Sequence, residues 1–339
     1  MNLVISYSYF ATPGSDSDIV ALSYCFMALA FSINFVQISQ KPYFSSLLFI
    51  IWTIISYFII SKIDPIYFQS IYGVNNPKFA GVYQYIGDTF ALVSIAITAR
   101  ISTLKGLPKF SFLSRNAKYT NQLVRLIVVF SILVSSIIIL FFNSSRASFF
   151  SFIIVSTYML YCLLVTLRNK KFILLFIIIS SLILFSTFAD SFNNMMIEYN
   201  LLSNRNLSAV ETGSDGSLDL RMDFYASGIK DIINNPIFGN YSERTLDSGR
   251  GTYIHNFLAA FQDFGFLTFF AYLGLVIFCV KQFLNSWKSV NDYECIFFNS
   301  LLIFNVIQIL IFRHPLGLYA IFVNFGIALK RLCKSTVNL

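Results

Sequence analysis

Three side chains stand out for chemistry in otherwise apolar or neutral surroundings: Arg146 in NSSRAS, Arg221 in LRMDFYASG and His255 in TYIHNFLAAFQDFG. An arginine offers a planar fork of donors that matches phosphate or carboxylate oxygens, and it stays charged at any physiological pH. A neutral imidazole can take a proton from a sugar hydroxyl near pH 7, and a helix amino terminus favours that neutral form by opposing the imidazolium charge. His255 is one of only two histidines and stands where an apolar stretch begins. The plainer reading, commoner for a lone interfacial histidine, is a hydrogen-bonded boundary residue. Gln262 and Asp263 follow two turns later on its face, and an acid within an apolar span is a functional candidate, as is Asp88 to a lesser degree.

The two arginines each carry a plain alternative. Arg146 lies in a four-residue turn between two strongly apolar stretches, so its guanidinium is held near a bilayer surface; reaching lipid phosphate would satisfy it there. Arg221 falls in a segment, DLRMDFYASGIKDIINNPIFGNY, whose Leu220, Phe224, Ile229, Ile232 and Ile233 follow helical spacing. Ser217 or Asp219 can cap its start, and Asn234-Asn235-Pro236 ends it. Arg221, Tyr225 and Gly228 share a second face, and Arg221 suits phosphate oxygens as well as it suits a headgroup or a surface pair with Asp223 or Asp231. Arg313-His314-Pro315 makes another short basic turn, able to join the same site or to anchor two helices.

The elements that must hold these residues follow from composition. Of 339 residues, 56% are apolar and 12% charged, against about 25% charged in a soluble domain. Most of the chain is therefore solvated by lipid, and the net charge of +8 orients it in a membrane rather than binding nucleic acid. A bilayer crossing needs about 20 apolar residues. Nine stretches qualify: 19–38, 43–61, 82–99, 124–142, 147–167, 172–189, 256–279, 296–312 and 316–329, the last two being short. The expected architecture is an all-α polytopic membrane protein of nine or ten transmembrane helices. Residues 1–189 hold helices one to six, 190–254 form one long external loop carrying the amphipathic helix, and 255–339 hold helices seven to nine with a tail. That helix lies on the membrane or closes as a lid over a cavity.

Sidedness follows from Lys and Arg. Fifteen lie on one side, including Arg100 to Arg125, Arg168 to Lys171 and Lys330 to Lys334; four short-loop residues, Lys62, Lys78, Arg146 and Arg313, lie on the other. The richer side is cytoplasmic, which puts the 190–254 loop outside and the carboxyl terminus inside. The amino terminus is then outside, exported as a short acidic tail or preceded by a further helix, since residues 1–18 have no charged secretory n-region. Asp16-Ser17-Asp18 reads as a solvated cap more readily than as a metal site. None of the five cysteines, Cys25, Cys162, Cys279, Cys295 and Cys333, falls in an external loop, so they read as apolar fillers or reduced thiols. There is no internal repeat and no Walker A, HExxH, CxxC or Gly-x-Ser-x-Gly pattern.

Four elements in order resemble the O-antigen polymerase and O-antigen ligase superfamily of bacterial membrane glycosyltransferases. They are SRAS at Arg146, LRMDFYASG at Arg221, the Asn-Pro-x-x-Gly of NNPIFG from Asn235 to Gly239, and HNFLAAFQDFGFL from His255 to Leu267; NNPKFAG at 75–81 adds a fifth. The resemblance covers residues 75–279 and implies a GT-C-like membrane fold. It also implies a metal-independent, cofactor-free, inverting glycosyl transfer at the periplasmic face of the bacterial inner membrane. Undecaprenyl-diphosphate-linked oligosaccharides are the implied donor and acceptor, with a chain-length regulator as a further partner. In the implied roles, Arg146 and Arg221 neutralise the donor diphosphate and His255 orients or deprotonates the acceptor hydroxyl. Asn256 and Asp263 support His255, while Tyr225, Arg313 and His314 contribute to substrate binding. The shorter chain and a composition typical of AT-rich gene clusters favour a polymerase; a ligase acting on the lipid A core is the alternative. A lipid-linked oligosaccharide flippase is a second alternative, against which the long loop argues.

Overall fold

The computed structural model describes residues 27–30, 32, 38, 41–60, 82–103, 117–143, 145–166, 216–240, 254–312 and 319–337. Expectations for 19–38 in most part, 62–81, 172–189, 190–215, Arg313 and His314 fall outside the described residues, as do Asp16-Ser17-Asp18, Cys25 and the side chain of Arg146. Eight helices are delimited among the described residues: α1 (Pro42–Ile60), α2 (Val82–Thr103), α3 (Ala117–Phe142), α4 (Arg146–Thr166), α5 (Gly216–Asn234), α6 (Ala259–Ser286), α7 (Tyr293–Ile307) and α8 (Tyr319–Val337); residues 27–30, 32 and 38 are helical as well. A π-helical segment, Gln308–Phe312, continues α7.

Six of these are long and apolar enough to cross a membrane: Tyr43–Ile60, Gln84–Thr103, Val124–Phe142, Ala147–Val165, Ala259–Ser286 and Tyr293–Ile311. Each covers a stretch expected to span. The chain is a multi-pass membrane protein. The last expected span, 316–329, starts outside the described residues; from Tyr319 it is helical, and α8 runs on through Lys330, Arg331 and Lys334.

The chain divides into two compact units. One comprises Ser39–Gly213 with Trp287–Ser300 and contains α1 to α4. Its hub is α2, with 67% of its apolar window buried against 22% for α1. The cause is local: Gly87, Ala91, Ser94, Thr98 and Ala99 are small and buried, so neighbouring helices approach closely. Pro42 occupies the first turn of α1, where its missing N–H costs nothing. Trp52 ties three helices together. Its indole N–H is shared between the hydroxyls of Ser94 on α2 (3.1 Å) and Ser136 on α3 (3.2 Å), and Ser136 donates to Ser94 (3.0 Å). The ring stacks on Phe90 at 5.9 Å. On α4, the Tyr158 hydroxyl accepts from the Asn299 amide at 3.0 Å.

The other unit comprises Met1–Ile38, Ser214–Ser286 and Leu301–Leu339. Here α6 packs against α5 and against α8. The Asn305 amide donates to Asn324 at 2.7 Å, joining α7 to α8 through two fully buried side chains. An unbroken apolar span over 256–279 is the sequence expectation; the structure instead kinks α6 at Gly265, whose φ of 77° and ψ of −177° suit only glycine.

Candidate active site

The kink opens one rung of the α6 ladder, and the segment after α5 fills it. In an unbroken helix the Phe266 amide would donate to the Gln262 carbonyl four residues back. Here Phe266 N–H donates to Pro236 O (2.9 Å), and Gln262 O accepts from Asn240 N–H (2.7 Å). Both of these groups are satisfied by NNPIFGN, which offsets part of the cost of the kink. The approach is backbone to backbone. A Cβ on Gly239 would strike the carbonyl of Asp263 and the amide of Phe264, and one on Gly265 would strike the Ile237 carbonyl; Gly239 also has a positive φ of 71°. Asn235-Pro-x-x-Gly239 and the glycine of DFG at Gly265 are thus two halves of one joint.

The inner face of α5 lies against the chain entering α6. Gly228 is buried, and its missing side chain leaves room for Ile254 and Gln262. Three residues further on, Asp231 accepts from Gln262 Nε2 at 2.8 Å and from Asn240 Nδ2 at 3.4 Å. Gln262 Oε1 accepts from the Ile254 amide at 2.9 Å. Towards the amino end of the same face, the Phe224 ring lies 6.1 Å from the His255 imidazole, tilted by 39°. Arg221, half-buried, is one turn before Phe224.

The sequence-predicted residues are placed as follows. Phe224 of α5 meets His255 ahead of α6, Arg221 precedes Phe224 by three residues on α5, and Asp263 is buried in α6. Asn256 opens α6: its Oδ1 accepts from the Leu258 amide at 2.9 Å and its carbonyl from Ala259 at 3.0 Å, which is an amino-terminal cap. Tyr225 is placed apart, exposed on the outer side of α5. Asp231 lies ten residues from Arg221, about 15 Å along a helix, and its carboxylate is engaged by two amides, so it is not the arginine's pair. Gln262, Asp231 and Gly228 carry more of this geometry than their spacing alone announces. The signal available was the offset from Gly228 to Asp231, which puts a small and a polar residue on one helical stripe.

Arg146 stands at the first position of α4, in the other unit. The turn that presents it is built on Asp88. Ser145 O accepts the first helical bond from Phe149 (2.9 Å), the hydroxyls of Ser145 and Ser148 meet at 2.7 Å, and Ser148 donates to Asp88 Oδ1 at 2.6 Å. A buried carboxylate beside a helix amino terminus is favoured by the helix dipole. Gly87 lets the turn approach, since a Cβ there would lie 2.6 Å from Asn143 Nδ2. Among the described residues Cys162 and Cys279 are buried, Cys295 is half-buried and Cys333 is exposed, and all four are reduced thiols.

A cleft with purely apolar walls opens behind the histidine segment, between Phe257, Phe269, Tyr272 and Val276 on one side and Val306, Ile309 and Leu310 on the other. It begins two residues after His255.

The family model described as O-antigen ligase matches residues 131–273. Over this segment the chain is similar to the O-antigen ligase family. The O-antigen ligase segment encloses the Arg146 turn, all of α5, the Gly239 and Gly265 joint and His255. No curated protein and no solved structure matches the chain.

Proposed function

We propose that this protein is an O-antigen polymerase, transferring a growing glycan from undecaprenyl diphosphate to a lipid-linked repeat unit at the periplasmic face of the inner membrane. The observation that carries the reading is the O-antigen ligase family segment at 131–273, which contains Arg146, Arg221 and His255 together. The family covers both polymerases and ligases, so the ligase remains the second reading; the match lends no support to a flippase.

The chemistry is a displacement at the anomeric carbon. The acceptor hydroxyl oxygen forms the new glycosidic bond, the bond to the diphosphate oxygen breaks, and undecaprenyl diphosphate leaves. His255 takes the hydroxyl proton; its ring is oriented by Phe224, and the Asn256 cap fixes the turn that carries it. Arg221 neutralises charge developing on the departing diphosphate, the part a divalent cation would otherwise play, and the reaction is metal-independent and inverting. Arg146, presented by its own short turn, is assigned to phosphate oxygens for the same reason. The apolar cleft behind Phe257 fits a prenyl tail, which needs hydrocarbon walls and no polar partner. Residues 190–254 form the periplasmic loop in this arrangement, between the membrane helices of 1–189 and those of 255–339, and the positive-inside distribution supports that sidedness.

Lipopolysaccharide ladders from cells carrying Arg146→Ala, Arg221→Ala and His255→Ala at matched protein levels test the site. Each variant should lose the ladder; full-length ladders from all three would refute it. A deletion separates the two activities. Loss of a polymerase leaves core carrying one repeat unit, whereas loss of a ligase leaves uncapped core.

A further inference from the structure

We infer that Gln262 is a positioning residue: its side-chain amide, latched to Asp231, sets the backbone that presents His255 to the acceptor. The inference rests on the reading of His255 as the acceptor-side base. Gln262 is fully buried, yet it is not packed as filler. Its two polar atoms point in opposite directions and both are used. Nε2 donates to Asp231 Oδ2 at 2.8 Å, and Oε1 accepts from the amide of Ile254, the residue immediately before His255, at 2.9 Å.

Consider what these two bonds fix. Residue 254 lies outside α6, which starts at Ala259, so helical bonding does not hold it. The Ile254 side chain is wedged where Gly228 has none, and the Ile254 amide is tied to Gln262. Position and rotation of the peptide leading into His255 are thereby set against α5. The same helix carries Phe224, against the imidazole, and Arg221 one turn earlier. Asp231 anchors the far end of the latch, with Asn240 Nδ2 on its other oxygen at 3.4 Å. The Gln262 carbonyl is itself held by the Asn240 amide at 2.7 Å, so the residue cannot shift along α6 without breaking the kink. In a low-dielectric surrounding such a chain of bonds is stiff, and each member left unpaired is costly.

The donor and acceptor pattern is specific to glutamine. A carboxylate at position 262 would turn an oxygen towards the oxygen of Asp231 and lose the donor. Exchanging the acid and the amide between the two positions restores the pattern atom for atom. In D231N/Q262E, the amide now at position 231 donates to the carboxylate now at position 262. The second oxygen of that carboxylate accepts from Ile254, and the amide oxygen at position 231 still accepts from Asn240.

The experiment measures polymer formation by the purified full-length protein in detergent, from undecaprenyl-diphosphate-linked repeat units extracted from a strain lacking the polymerase. Gln262→Glu should lower kcat by about 100-fold, the order expected for misplacing a reacting group by about 1 Å, with KM nearly unchanged; its melting temperature falls as well, because two carboxylates then face each other in a buried site, and the double variant should restore both. D231N/Q262E should recover kcat to within about threefold of the native value. Should Q262E fail to accumulate, Gln262→Met, of similar volume and without either bond, replaces it and should lower kcat by at least about tenfold. Native kcat in Q262E or Q262M overturns the inference, as does a double variant no better than Q262E, or a loss that appears in KM alone. His255→Ala in the same assay separates the two ideas. If H255A is active, the reading of His255 is wrong; if H255A is inactive while Q262E is native-like, only the latch is wrong.

Discussion

Gly239 and Gly265 sit across one backbone-to-backbone contact, each at a positive φ: a side chain on Gly239 would strike the main chain just before Gly265, and one on Gly265 the main chain just before Gly239. The turn after α5 thus completes the hydrogen-bond ladder of α6, and the helix carrying Arg221 is fastened to the one that follows His255.

Alanine at either glycine meets two penalties at once, an unfavourable φ and a clash with main-chain atoms that cannot rotate away. Gly265→Ala and Gly239→Ala should each destabilise by about 2 kcal/mol or more and abolish polymer formation. Gly274, also in α6, has open space around it, and Gly274→Ala should be neutral or stabilising by up to about 1 kcal/mol. Thermal unfolding followed by size-exclusion chromatography in detergent compares the three; equal midpoints would contradict the joint.

Gly228→Ala drives a methyl group into the Ile254 side chain and towards Gln262. The obstacle at Ile254 is a side-chain end, so the defect is repairable. G228A should reduce activity by roughly tenfold, and adding Ile254→Ala should return part of it, a non-additivity expected only of residues in contact. Independent effects of the two changes would count against this packing.

Arg221→Lys keeps the charge but loses the planar fork. If the residue grips a diphosphate through paired bonds, R221K should fall close to R221A, with a kcat/KM loss of at least about tenfold. Activity near native in R221K would mean that a point charge suffices there.

Asp88 acts on the Arg146 turn through Ser148. Asp88→Ala strips Ser148 of its buried acceptor and should cost about 1–3 kcal/mol, whereas Asp88→Asn retains an acceptor oxygen and should cost less. Urea or thermal midpoints of the two variants rank them, and the ranking reversed would contradict the proposed bond.

Among the described residues Cys333 is the exposed thiol, Cys295 is half-buried, and Cys162 and Cys279 are buried. If the carboxyl terminus is inside, as the Lys and Arg distribution predicts, a membrane-impermeant maleimide should label a variant whose single cysteine is Cys333 only after the membrane is opened. Labelling in intact spheroplasts would invert the topology.

How far these features were legible varies with the range of the interaction. Helix α5 ends at Asn234, where Asn-Asn-Pro announces it, because a proline acts on its immediate neighbours. Its inner face was harder to assign. Apolar spacing favours Leu220, Phe224 and Ile233, yet Ile233 is exposed and the stripe against α6 is Phe224, Gly228 and Asp231. The contact is made instead by a glycine and an acid, residue types that apolar periodicity does not weigh, so the pattern points to the wrong stripe. The kink was hidden for a different reason. A glycine in an apolar span is ordinary, and only the arrival of Pro236 O and Asn240 N–H, from well before it in the chain, makes Gly265 a break. Asp88 was visible as an intramembrane acid, but its partner Ser148 lies sixty residues away and no local pattern joins them.

The chain contains two tryptophans, Trp52 and Trp287, and both belong to the α1 to α4 unit. Trp52 shares its N–H between two serines, and Trp287 has the Lys288 ammonium 5.3 Å from its ring. Ultraviolet-excited indole emission from the native protein therefore originates entirely in one unit. The α5 and α6 unit holds no tryptophan, so one indole placed at Phe224, in a background where Trp52 and Trp287 are replaced by phenylalanine and with excitation beyond tyrosine absorption, would report from beside His255 alone.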